Sequence, residues 1–234
     1  MGWNVRALTS ERILVWDGCV NVRDLGGLAL ADGGETRFGV VVRADSIRGL
    51  TDRGRQALLD YGVRSVIDLR ADREVAADPE ASAPVPVAHV PITPPAEWHS
   101  MREAYLTQLA AAQPAFARAM RLLAAAEEPV VVHCAGGRDR TGLLVALILD
   151  AAGVGREEIA ADHGLSDESF APFNDAWFAE APTDEERERR MRVAVPAGRT
   201  MIEVLGEVDR RYGGAAAYLG ARESLDRLVL RLRP

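Results

Sequence analysis

The sequence predicts an α/β fold: a sheet of short buried strands with helical layers on both faces, ending in a part that is helical throughout. Three observations carry this expectation. Short runs rich in β-branched residues alternate with helix-spaced segments over the first half of the chain. The run Pro129-Val-Val-Val-His133 is the strongest strand signal, and a glycine-bearing turn and an apolar helix come directly after it. Beyond that helix every segment reads helical, and alternating elements succeeded by helices alone suit a sheet covered on both sides.

Taken in order, residues 12–16 read as a short strand, and Asp17-Gly18 and Gly26-Gly27 punctuate the stretch after it. Residues 38–43 form a second strand ending at Arg43, while Arg23 and Asp24 read as an ion pair within a turn. Thr51 is placed as a helix N-cap, with Leu58 and Leu59 on the apolar face and Gly62 as the stop. Residues 63–69 read as a buried strand carrying Asp68 near its C-terminal end, and 85–90 as an edge strand among Pro84, Pro86 and Pro91. Residues 77–96, rich in Pro and Ala, read as a loop. From Trp98 the period becomes helical through Met101, Tyr105, Phe116, Met120 and Leu123, broken at Pro114. The helix at 141–152 is apolar all round, hence buried, and ends at Gly153. Further helices are expected at 157–163, 167–178, 184–192, 199–212 and 221–232. Without repeats or a long linker, the chain reads as one domain over 1–234.

The composition narrows the chemistry. The 234 residues include 28 arginines, no lysine and 35 acidic residues, for a net charge of −7. That balance argues against nucleic acid or an anionic membrane as partner, since both are bound by clustered cations. Without lysine there is no Schiff base and no lysine phosphate clamp, so an anion must be met by guanidinium, backbone N–H groups and helix dipoles. The two cysteines, Cys19 and Cys134, make no disulfide framework, and His99 and His163 have no metal-ligand spacing. No signal peptide is legible, and the apolar run at 143–149 is far short of the ~20 residues of a membrane helix. A soluble cytoplasmic protein without metal or cofactor is expected, with signal-less export and the oligomeric state left open.

Site chemistry concentrates in His133-Cys-Ala-Gly-Gly-Arg-Asp-Arg-Thr-Gly142. A loop feeding a helix N-terminus aims successive N–H groups at a tetrahedral anion. Gly136 and Gly137 permit unusual backbone angles, and Arg140 offers a planar fork to two phosphate oxygens. The same environment favours thiolate over thiol at Cys134. A thiolate below a bound phosphoryl group is set up for in-line displacement at phosphorus. A general acid is also required, and the C-terminal end of a core strand puts Asp68 ahead of Asp139 and Asp72.

This segment resembles the C-x5-R phosphate loop of cysteine-dependent tyrosine phosphatases, especially a bacterial branch with the signature H-C-x-x-G-K-D-R-T-G, related to dual-specificity and phosphoinositide phosphatases. Asn21-Val-Arg-Asp-Leu-Gly-Gly27, Val66-Ile-Asp-Leu-Arg-Ala-Asp-Arg-Glu74 and Tyr212-Gly-Gly-Ala-Ala-Ala-Tyr-Leu219 also look like that branch. The resemblance implies a tyrosine-phosphatase-like central mixed sheet. It implies Cys134 as the nucleophile that becomes phosphocysteine, and Arg140 as the phosphate-binding, transition-state-stabilising residue. It further implies a phosphate cradle formed by Ala135, Gly136, Gly137, Arg138, Asp139 and Arg140, a supporting His133, and Thr141 bonded to the sulfur. Arg138 stands where the branch carries lysine, a position associated with extra phosphates on lipid headgroups. Helices around 95–125, within a possible lid segment 77–125, are expected over the mouth of the site. The implied activity is hydrolysis of protein phosphotyrosine, with phosphoserine, phosphothreonine and phosphoinositides as additions. A catalytically inactive phosphate-binding module and a rhodanese-like sulfurtransferase are the rival readings.

Overall fold

The computed structural model describes residues 11–77, 83–195 and 197–234. In chain order its elements are β1 (Arg23–Asp24), β2 (Val41–Ala44), α1 (Asp52–Asp60), β3 (Ser65–Asp68), α2 (Asp72–Ala77), β4 (Val87–His89), α3 (Met101–Ala125) and β5 (Val130–His133). Beyond β5 the described residues form only helices: α4 (Asp139–Ala151), α5 (Arg156–Ala179), α6 (Asp184–Val193), α7 (Gly198–Tyr212), α8 (Ala215–Leu219) and α9 (Arg222–Leu232). The sheet order is β1-β2-β5-β3-β4, with β1 antiparallel to β2 and the other pairs parallel. The expected mixed sheet is therefore observed, and β5 lies at its centre.

Alternation along the strands builds two cores. Val130 and Val132 of β5 join Val41 and Ile67 in the larger core, with the apolar faces of α3, α4, α7, α8 and α9. Val131 points the other way, with Val42, Val66, Trp16 and Leu58 of α1. The α4 helix is buried along nearly its whole length, as its all-round apolar sequence requires. Thr51 caps α1 by accepting a hydrogen bond from the Gly54 N–H.

Several elements differ from the sequence reading. Residues 12–16 form no strand, only an isolated bridge between Ile13 and Arg23. There Arg12 is buried together with Trp16, while Ile13 and Val15 are exposed, so apolar character alone misreported the inward face. The helices expected at 157–163 and 167–178 are one continuous α5, which runs through Pro172. The α3 helix continues through Pro114 and takes up the strain as a kink at Ala112 (φ −118°, ψ 18°). The short α2 and α8 are additional to the expected helices. Of the expected loop at 77–96, residues 78–82 lie outside the described residues.

Candidate active site

Strand β5 runs at the centre of the sheet and delivers Cys134 to its C-terminal edge, where the chain turns through residues 134–138 into α4. The turn is held from outside by its carbonyl oxygens. The Ala135 carbonyl accepts from the Ser46 N–H (2.9 Å), that of Gly136 from Asn21 Nδ2 (2.8 Å), and that of Gly137 from Arg43 Nη2 (2.8 Å). In a planar trans peptide the next N–H points opposite to the carbonyl. Pulling three consecutive carbonyls outward therefore turns the N–H groups of Gly136, Gly137 and Arg138 into the ring. The result is an anion cradle at the start of a buried helix.

Cys134 is buried at the base of this ring. Arg140, in the first turn of α4, is gripped by the Glu74 carboxylate through both terminal nitrogens, with Nη2 2.9 Å from Oε1. Burial disfavours its charge, but Cys134, Glu74 and Asp139 outweigh this and hold the guanidinium protonated above its ordinary range. Glu74 is fixed in turn by the Ala71 N–H (2.7 Å) and is held below the usual carboxylate range by Arg140 against the cost of burial. Cys134, Arg140, Glu74 and Asp139 share one cavity of about 1520 Å³. Its walls are the stretch leading into α3 and the first half of that helix, the C-terminal half of α5, and α6, with Trp98, Tyr105, Phe170, Phe173 and Trp177 among the aromatic side chains.

The remaining sequence-predicted residues fall in different places. Asp68 does not line this cavity. It sits beneath the loop, where Arg70 donates from its backbone N–H (2.8 Å), Nε and Nη2 (2.8 Å), and His133 Nε2 lies 3.9 Å away. Burial opposes its charge, yet Arg70 and His133 keep it ionised below the ordinary range. Asp72 is on the exposed side of α2, near His89. His133 donates from Nδ1 to the Cys134 carbonyl (3.0 Å), which fixes the start of the loop. The Thr141 hydroxyl is fully buried with no hydrogen-bond partner among the described residues, the sulfur included. Arg138 lines the cavity, but its guanidinium turns to Asp167 (Nε–Oδ1 2.7 Å) and the carbonyls of Val193 and Val195. Of the two loop glycines, Gly137 alone takes a positive φ (64°).

The tyrosine phosphatase family matches residues 14–233. The chain is 29% identical to a tyrosine-protein phosphatase of Nostoc commune over 76% of its own length and 67% of that protein's. It is 33% identical to the triple specificity protein phosphatase PtpB of Mycobacterium tuberculosis, over 65% of this chain and 68% of that one. The chain belongs to the tyrosine phosphatase family. It is a protein-tyrosine phosphatase, and its substrates are phosphorylated.

Several residues of this phosphatase escaped the sequence reading. Glu74 closes the motif at 66–74, and the signal was there: a buried loop arginine needs a counter-charge, and a carboxylate opens the helix after the neighbouring strand. Arg43 neither merely ends its strand nor reaches the cavity. It is buried, and joins the loop carbonyl to Asp162 Oδ2 (2.6 Å). Asp162 also takes Arg12 Nη2 (2.5 Å) and Arg23 Nε (3.0 Å). Arg23 is thus not paired with Asp24, whose carboxylate accepts instead from the N–H groups of Gly26 and Gly39 and from the Tyr61 hydroxyl.

Proposed function

We propose that this single-domain tyrosine phosphatase works through a phosphocysteine intermediate, with Cys134 as nucleophile, Arg140 as phosphate ligand and Asp139 as general acid. The observation that carries the reading is the loop's outward-pulled carbonyls, which turn three N–H groups into the loop that follows Cys134, with Arg140 lining the same cavity. Cys134 attacks phosphorus while Asp139 gives its proton to the departing oxygen; water then attacks phosphocysteine, Asp139 takes its proton, and the thiolate is released. The N–H groups and Arg140 meet the charge on the equatorial oxygens in both steps. Thr141, with an unpartnered hydroxyl in the first turn of α4, supports the departing sulfur in the second step.

Asp139 is preferred to Asp68 because it belongs to the cavity and is a third exposed. Asp68 is locked as a carboxylate by Arg70 and has no path to the leaving group. Asp139→Asn therefore lowers kcat by roughly 10²-fold or more on esters with poor leaving groups, and much less on p-nitrophenyl phosphate. Asp68→Asn shows no such selectivity. If the selectivity follows Asp68, the assignment is wrong.

The aromatic walls suit a phenyl phosphate, so phosphotyrosine is the leading substrate, and the cavity volume and the triple specificity named for PtpB support wider tolerance. With the Arg138 guanidinium engaged by Asp167, Val193 and Val195, it is not offered to a second phosphate, so phosphoinositides are expected to be slower than phosphotyrosyl peptides. A panel of phosphotyrosyl and phosphoseryl peptides and phosphoinositides, with Cys134→Ser as blank, tests the order. Preference for phosphoinositides would reverse it. The first half of α3, with α5 and α6, is read as the cover of the mouth, while Phe116, Met120 and Leu123 of the expected lid belong to the core. The inactive-module and sulfurtransferase readings are not favoured, since the family and the relatives are phosphatases.

A further inference from the structure

A second line of polar groups leads away from Asp139 into the core. The Tyr105 hydroxyl donates to Asp139 Oδ1 (2.6 Å), and His163 Nε2 lies 3.1 Å from the same hydroxyl oxygen. Tyr105 comes from α3 and His163 from α5; both are buried, and their rings meet edge to face with centroids 5.8 Å apart. His163 Nδ1 is buried without a hydrogen-bond partner among the described residues. It faces Gly142, where a Cβ would come within 2.5 Å of it.

These contacts fix the direction of every proton. The Tyr105 O–H donates to Asp139 Oδ1, which can accept whether or not the other carboxyl oxygen carries a proton. The Tyr105 oxygen is then left to accept, and His163 must supply the Nε2–H. The bare Nδ1 agrees with this tautomer, which leaves the acceptor nitrogen against the glycine. Burial, helped by Arg43 and Arg138, drives the His163 pKa far down, so the ring is neutral. Burial and the Asp139 charge push the Tyr105 pKa far up, so its proton stays.

We infer that Tyr105 and His163 are positioning residues that select which oxygen of Asp139 carries the catalytic proton. This rests on Asp139 being the general acid. With Oδ1 occupied by the Tyr105 hydrogen bond, the transferable proton resides on Oδ2. When it leaves for the ester oxygen, the new carboxylate is already solvated by the Tyr105 O–H, and no group needs to turn. In the second step the same oxygen takes the proton from water, and the hydrogen bond persists. The other charged groups around Asp139 are Arg138, whose Nη1 is 3.8 Å from Oδ1, with Asp167 and Arg140 within electrostatic reach. Arg138 and Arg140 have their own carboxylate partners, so Tyr105 is the hydroxyl donor dedicated to this group. The relay also explains Gly142, where any side chain would displace the His163 ring.

The test compares aryl phosphates of graded leaving-group basicity in wild type, Tyr105→Phe, His163→Gln, His163→Leu and Gly142→Ala, with folding checked by thermal unfolding. Tyr105→Phe should lose roughly tenfold more kcat on the poorest leaving group than on the best, with KM little changed. His163→Leu should show the same selectivity, weaker in size. His163→Gln, whose Nε2 amide can still donate, should restore part of it. Gly142→Ala should resemble His163→Leu. Equal loss on good and poor leaving groups, or a loss that follows melting temperature alone, overturns the inference. Asp139→Asn separates the two levels. If it is selective and Tyr105→Phe is not, the relay falls and the acid stands; if Asp139→Asn itself is unselective, both fall.

Discussion

At Gly137 the backbone takes a left-handed φ, and a Cβ would lie 2.1 Å from the Ala44 carbonyl oxygen. Gly136, one position earlier, would set a Cβ 3.6 Å from the Phe170 ring, an ordinary contact. The two glycines look alike in the motif and differ in what they permit. Gly137→Ala must push the loop off β2 and should abolish turnover, whereas Gly136→Ala should keep most of it; kinetics on p-nitrophenyl phosphate, with circular dichroism for folding, checks both. Glu74 acts by aim instead of by space. Glu74→Gln keeps the shape but weakens the two-point grip on Arg140, and a guanidinium displaced by about 1 Å costs on the order of 10²-fold in kcat/KM. A variant with unimpaired kcat/KM would show that Arg140 needs no such support.

At the scale of elements, α5 joins the site to the core. Its Asp162, His163, Ser166 and Asp167 reach Arg43, Tyr105, Arg23 and Arg138 in turn. These tertiary bonds keep the helix continuous where the sequence pattern suggested two pieces. His163 gives α5 a signature in pH. Its folded pKa is far below the ordinary value, so below about pH 6.5 the unfolded chain takes a proton that the fold refuses. Its contribution is fully present above that pH and is lost as pH falls, at up to about 1.4 kcal/mol per unit. Urea titrations from pH 7 to 5 should show a steeper decline for wild type than for His163→Gln; equal slopes would mean that the ring is not held neutral. The β5–loop–α4 unit was legible because Cys134, Gly137 and Arg140 lie within one short segment and their residue types can be read directly against chemistry. The supports were not, since Glu74 stands 66 positions from Arg140 and Asn21 115 from Gly136. Periodicity reports which face is buried, and it misled at 12–16 because there the charged Arg12 is turned inward together with Trp16.

Across the whole molecule, a composition without lysine becomes a structural resource. Arg12, Arg23 and Arg43 converge on Asp162, all fully buried behind the loop, and the forked guanidinium of each bonds both this residue's carboxylate and a backbone carbonyl. Burial opposes the Asp162 charge, but the three arginines hold its pKa well below the carboxylate range. Removing the anion leaves three cations to repel one another, so Asp162→Asn should cost about 3–5 kcal/mol in urea unfolding; a loss under about 1 kcal/mol would show that the cluster is not held by its charge. The cluster ties the N-terminal segment, β2 and α5 to one loop, so fold and active site are stabilised together. Among the described residues no helix is long and apolar enough to cross a membrane. The central claim is that the loop does covalent chemistry at Cys134. Acid-quenching the enzyme within its first turnovers on a phosphotyrosyl peptide, then mapping the digest by mass spectrometry, tests it most directly. A single phosphoryl group on the peptide bearing Cys134, absent from Cys134→Ser, is the predicted result; a phosphoryl group on another residue, or turnover that persists in Cys134→Ser, would contradict it.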